Sequence, residues 1–95
     1  MSALRRLVLD LLKPNEVETV QFARRLADIE GVDGANVSLL ESDKDVQNLK
    51  ITIEGESIDD EAVATEVEAL GGTIHSVDEV VCGDRLVEES PTHQD

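Results

Sequence analysis

Aromatic side chains are nearly absent from this sequence: Phe22 is the only one, and there is no Trp or Tyr. A core must therefore be built from Val, Leu, Ile and Ala. In 95 residues such a core is light, so contact with further copies of the chain would usefully extend it. Cysteine is equally scarce. Cys82 stands alone, which rules out an intrachain disulfide and fits a reducing compartment. Long hydrophobic runs are missing too. The apolar stretch after Arg5-Arg6 is interrupted by Asp10 and ends at Lys13-Pro14, with no small-residue cleavage site behind it. The expectation is a cytoplasmic protein with no membrane partner.

Positive charge is the remaining shortage. Eight Lys and Arg face 22 Asp and Glu, a formal net charge of −14. Phosphate backbones and anionic lipid would be repelled, which argues against nucleic-acid binding. The imbalance is uneven. Residues 1–30 hold Arg5, Arg6, Lys13, Arg24 and Arg25 against Asp10, Glu16, Glu18, Asp28 and Glu30, so they cancel. All the excess acid lies in residues 31–95, against only Lys44, Lys50 and Arg85. A neutral, Arg-bearing half beside an acidic half favours head-to-tail self-association. A salt-loving host accounts for the acidity as well, because at molar salt the Debye length is about 3 Å and self-repulsion fades.

The elements read in order. Leu7, Leu9 and Leu11 alternate with Arg6, Val8, Asp10 and Leu12 in a first strand that Lys13-Pro14 ends. Asn15 is placed to cap a helix, with Glu16 and Glu18 in its positive first turn. Val17, Val20, Ala23 and Ala27 form the helix's apolar stripe, widened by Phe22, Leu26 and Ile29, and Gly31 ends it. A second strand starts at Gly34. After the polar turn Glu41–Gln47, the alternation of Leu49, Ile51 and Ile53 marks a third strand that Gly55 breaks. Asp59 caps a second helix, with Ile58 and Val63 as a hydrophobic staple and Val63, Val67 and Leu70 as its stripe. The segment Gly71–Gly83, GGTIHSVDEVVCG, reads as a long fourth strand. Leu86-Val87 would add a short edge segment.

The order βαββαβ predicts an α+β, ferredoxin-like sandwich: a four-stranded antiparallel sheet, first and third strands central, two helices on one face. One domain spans residues 1–87, and the polar residues 88–95 form a disordered acidic tail. Val8, Leu12 and Leu40 on the helix-free face call for cover by another subunit or by Leu86-Val87.

The wording of four stretches resembles the archaeal domain-of-unknown-function 211 family: RRLVLDLLKP at 5–14, LADIEGVDGANVSLLESD at 26–43, KITIEGESID at 50–59 and LGGTIHSVDEVVCGDRLVEE at 70–89. That resemblance implies a ferredoxin-like archaeal domain that assembles into closed homo-oligomeric rings, with no established biochemical activity. The dense acidity looks like a haloarchaeal member. Rings that stack on one another are a further expectation.

Chemistry-bearing residues concentrate in the fourth strand. His75, Asp78 and Glu79, with Asp10 from the neighbouring first strand, offer imidazole and carboxylate ligands. Carboxylate oxygen suits Ca²⁺, Mg²⁺ or Mn²⁺, and imidazole tilts the set towards a transition metal. Simple alternation puts His75, Val77, Glu79 and Val81 on one face and Ile74, Ser76, Asp78 and Val80 on the other. Convergence on one ion then needs a bulge or a second subunit. The segment DKDVQNLKITIE touches the twelve-residue calcium-loop pattern at Asp43, Asp45, Gln47 and Glu54, but Asn48 replaces its glycine and flanking helices are missing. Cys82 and His75 stand ~23 Å apart along a strand, too far to act as nucleophile and base. No phosphate loop, dinucleotide fingerprint, Ser-His-Asp spacing or CxxC occurs. Arg5, Arg6, Arg24 and Arg25, together with Leu86 and Val87, are candidates for contacts between subunits, Arg24 being able to pair with Asp28 along the helix and so leave Arg25 freer. The expected function is a non-enzymatic ring-forming domain with a cation or small ligand at its subunit boundaries. A metal-dependent enzyme at His75, Asp78 and Glu79, or a purely structural assembly element, are the alternatives.

Overall fold

In the computed structural model, which describes residues 1–90, the chain runs β1 (Leu4–Pro14), α1 (Thr19–Ala27), β2 (Val32–Ser42), β3 (Val46–Gly55), α2 (Asp60–Ala69) and β4 (Thr73–Cys82). The strands form one antiparallel sheet in the order β2-β3-β1-β4, with both helices against one face. This is the ferredoxin-like α+β arrangement, and β1 and β3 are central as the pattern predicts.

The alternation of β1 and β3 is realised residue for residue. Leu7, Leu9 and Leu11 lie opposite Ile53, Ile51 and Leu49, and all six are buried under Phe22, Leu26, Ile58, Val63 and Val67. A fully buried Leu or Ile contributes about 1.5–3 kcal/mol, so this double row supplies most of the driving force. Phe22 is completely buried at its centre. No described helix is long and apolar enough to cross a membrane.

Several boundaries differ from the sequence reading. Asn15 does not cap α1, which starts four residues later behind Glu18, whose side chain makes no capping bond. The Asn15 side-chain amide instead donates to the carbonyls of Asp43 and Lys44, tying the loop before α1 to the β2–β3 turn. Glu16 and Glu18 therefore precede the helix. The apolar stripe is narrower as well: Phe22 and Leu26 carry it, while Val20 is 61% exposed. Asp59 does cap α2, accepting from the amides of Glu61 and Ala62 at 3.0 and 3.2 Å, and its staple partners Ile58 and Val63 are buried.

Lys13 continues β1 rather than ending it. Its position on the core-facing row takes it under α1, where it is 1% exposed and its ammonium donates to the carbonyls of Pro14 (2.9 Å) and Val17. Burial pushes its pKa down, partly opposed by Glu16. Glycine is demanded where the end of α1 meets the end of β3. Gly31 has φ +90°, and a Cβ on Gly55 would collide with the Gly31 carbonyl.

Leu86-Val87 adds no strand. Residues 84–90 have no regular structure, but they are anchored: Gly83 N–H donates to Ala3 and Glu88 pairs with Arg6. The disordered tail expected over 88–95 thus begins with a tethered residue, and its remainder, 91–95, lies outside the described residues.

Candidate functional site

β4 is an edge strand whose alternation is broken twice. Its register against β1 skips between the Val8–Glu79 and Leu9–Val77 pairs, and again between Asp10–Ser76 and Leu11–Ile74. Asp78 and His75 are the extra residues, so each sits at a β-bulge. The consequence is a period of three. Ile74, Val77 and Val80 lie opposite the core leucines Leu11, Leu9 and Leu7, on the helix face. Thr73, Ser76 and Glu79 lie opposite Leu12, Asp10 and Val8, on the helix-free face, where Val81 lies opposite Arg6. The simple alternation inferred from sequence is corrected accordingly: Val77 and Val80 share a face, and Val81 is on the other.

The four proposed metal ligands are engaged separately. Asp10 accepts a hydrogen bond from the Asn48 amide. Asp78 accepts one from the Ser76 hydroxyl at 2.8 Å. Glu79 lies 3.6 Å from the Arg6 guanidinium. His75 lines a bowl of about 260 Å³ on the helix-free face with Leu12, Asn48, Glu41 and Asp43. Asp78 and Glu79 line a different hollow, of about 460 Å³, with Val87, Glu88 and Glu89. The bulges that were needed for convergence are present, yet they divide the cluster between two cavities. Among the described residues no group of three or more His, Cys, Asp or Glu side chains is gathered closely enough to hold a metal ion.

The arginines fall into two groups. Arg6, its side chain 13% exposed, is held by Glu54 of β3 at 2.6 Å, by Glu79 of β4, and by Glu88 through a two-point pair at 2.9 Å. Glu88 most, and Glu54 next, raise its pKa. Arg5 donates to the carbonyls of Gly55, Gly83 and Asp84. Both are therefore occupied within the chain. Arg25 pairs with Glu66 of α2 at 2.6 Å, whereas Arg24 makes no ion pair among the described residues. That reverses the expected local Arg24–Asp28 pair. The calcium-like segment folds as a hairpin turn and β3. Asp43 accepts the amides of Asp45 and Val46, and those two bonds hold its carboxyl below the usual range.

A third hollow had no counterpart in the sequence reading. α2 packs only lightly on β4, which leaves a groove of about 250 Å³ between them. Leu4, Leu7, Leu9, Val63, Ile74, Val77 and Val80 line it, with Asp60 at its rim. Val77 and Val80 are 57% and 54% exposed despite facing the helices. The only sequence signal was the run of β-branched residues in β4, and the bulges hid which of them share a face.

The sequence model of DUF211, described as uncharacterized ArCR, matches residues 5–95. The chain belongs to the DUF211 family. An uncharacterized protein of the archaeon Methanocaldococcus jannaschii is 45% identical over 95 residues, covering 100% of this chain and 98% of that one. The DUF211 resemblance seen in the four quoted stretches thus extends over almost the whole length. No activity comes with it, so a functional reading must rest on the surfaces described above.

Proposed function

We propose that this DUF211 chain is a non-enzymatic building block that associates with its own copies head to tail, closing into a homo-oligomeric ring. The observation that carries this reading is the unfilled apolar groove between α2 and β4. A two-layer sandwich with Val77 and Val80 bare on its helix side leaves part of its own core uncapped.

The occupant is another copy of the chain. At the opposite end of the sheet, where α1 packs over β2, Leu39 and Leu40 are 55% and 52% exposed, and Val20 lies bare on α1. Two apolar patches at opposite ends of one molecule join as a heterologous contact, which builds rings when the rotation closes. Charge supports the pairing: Arg24, four residues after Val20, meets a groove whose rim carries Asp60. Arg5 and Arg6, already bound within the chain, set no register between copies, and the first strand is central and unavailable. A divalent cation such as Ca²⁺, Mg²⁺ or Mn²⁺ at the boundary takes donors from two copies, because the described residues of one chain gather too few.

Native mass spectrometry in concentrated volatile salt, with and without chelator, tests this. The expected result is a single closed copy number that survives chelation, with any metal adduct lost. A monomer under all salt conditions contradicts the proposal.

A further inference from the structure

Val81 and Val8 lie on the face of the sheet that no helix covers, yet each is only 6% exposed. Val81 borders the same hollow as the segment that follows Gly83. The segment after Gly83 folds back so that Glu88 reaches Arg6, next to Val8 on the same row of β1, and Val87 and Glu88 share a hollow with Val81 and Glu79. Two consecutive arginines hold this segment. Arg5 grips its backbone at Gly83 and Asp84, at 3.2 and 3.0 Å, and Arg6 grips the Glu88 carboxylate at two points.

We propose that residues 84–90 form a strap, hinged at Gly83 and latched by the Arg6–Glu88 pair, whose release bares Val81 while the rest of the sandwich stays folded. Three features make the strap separable. First, Gly83 has φ +111° and nothing within 4 Å of where a Cβ would stand, so among the described residues no side-chain packing fixes the hinge, which is held by hydrogen bonds to Ala3 and Arg5. Second, unlatching strands no charge. Arg6 keeps Glu54 at 2.6 Å and Glu79 at 3.6 Å, so the heavy cost of an unpaired guanidinium does not arise. Third, one guanidinium faces three carboxylates, Glu54 from β3, Glu79 from β4 and Glu88 from the strap. Glu88 is thus attracted by Arg6 and repelled by the other two acids, which leaves the latch finely balanced. Release of the strap takes Glu88 away and bares Val81 on the helix-free face, where Glu54 and Glu79 stay with Arg6.

Arg85 lies inside the strap and is exposed, so tryptic cleavage after it reports opening. Glu88→Gln is compared with Glu89→Gln, whose carboxylate makes no ion pair with Arg6 among the described residues. Cleavage after Arg85 should accelerate roughly tenfold in Glu88→Gln and stay unchanged in Glu89→Gln, with the same thermal midpoint in both. Hydroxyl-radical footprinting should show more modification of the Val81 side chain in the first variant only. Equal cleavage in the two variants overturns the latch. A fall in the midpoint of Glu88→Gln with general loss of amide protection overturns the separability, since the segment would then be part of the fold itself. Arg6→Lys, which retains charge but loses the two-point geometry, should fall between wild type and Glu88→Gln.

Discussion

Val80 and Val81 are neighbours in sequence with inverted fates: Val80, opposite Leu7 on the helix face, is 54% exposed, and Val81, opposite Arg6 on the helix-free face, is 6% exposed. The inversion has two causes. α2 stops short of β4 on one side, and on the other Val81 lies opposite Arg6 and beside the strap.

Substitution should separate the two valines. Val81→Ala removes buried methyl groups and should lower unfolding free energy by about 1–2 kcal/mol. Val80→Ala should change monomer stability by no more than ~0.5 kcal/mol. Its effect should appear in association, which sedimentation measures alongside denaturant unfolding.

The same contrast applies on α1. Phe22→Ala empties the centre of the core and should cost about 3–5 kcal/mol, enough to threaten a small domain whose total stability is ~5–15 kcal/mol. Val20→Ala, exposed on the outer side, should leave unfolding by urea unchanged and weaken self-association.

Lys13 supplies a test with a definite sign. Its folded pKa lies below the ordinary 10.5 because burial disfavours the charge. Between the depressed value and 10.5 the unfolded chain binds more protons, so the Lys13 contribution to stability rises with pH through that window. Lys13→Met should abolish this rise. It should also cost about 1–3 kcal/mol at neutral pH, because the Val17 carbonyl loses the ammonium donor, while the Pro14 carbonyl keeps the Val17 N–H. Urea midpoints at pH 7 to 10.5 measure both.

Acid should open the strap. Glu88 has its pKa lowered by the hydrogen bonds and charge of Arg6, so the latch is at full strength above the ordinary value of 4.5 and weakens as pH falls through the depressed one. Hydroxyl-radical modification of the Val81 side chain should rise there in wild type. Glu88→Gln should show high modification at every pH.

How far the sequence revealed this structure depends on what each residue answers to. The leucines of β1 and the isoleucines of β3 answer to a period of two, and Asp59 to its own next turn, so strand order, topology and the α2 cap were legible. β4 was not, because its bulges at His75 and Asp78 involve no glycine to announce them, and two skipped residues turned a period of two into three. Asn15 looked like a cap because local sequence cannot show the Asp43 and Lys44 carbonyls that claim its amide. Lys13 read as a strand terminator, since charge usually means exposure and its two carbonyl acceptors, Pro14 and Val17, are set by how the loop before α1 turns. The Arg6–Glu88 pair joins residues 82 positions apart, and no periodicity connects them. The candidate ligands were correctly placed beside β1, but their division between two cavities follows from side-chain direction at the bulges.

The head-to-tail contact is tested most directly by blocking one end at a time. Val80→Asp spoils the groove and Leu39→Asp spoils the opposite end, so each variant alone should sediment as a 10.3 kDa monomer. Mixed in equal amounts, they retain one intact groove and one intact complementary patch, and should form a one-to-one dimer that grows no further. A mixture that stays monomeric, or either variant alone still assembling like wild type, would contradict the account.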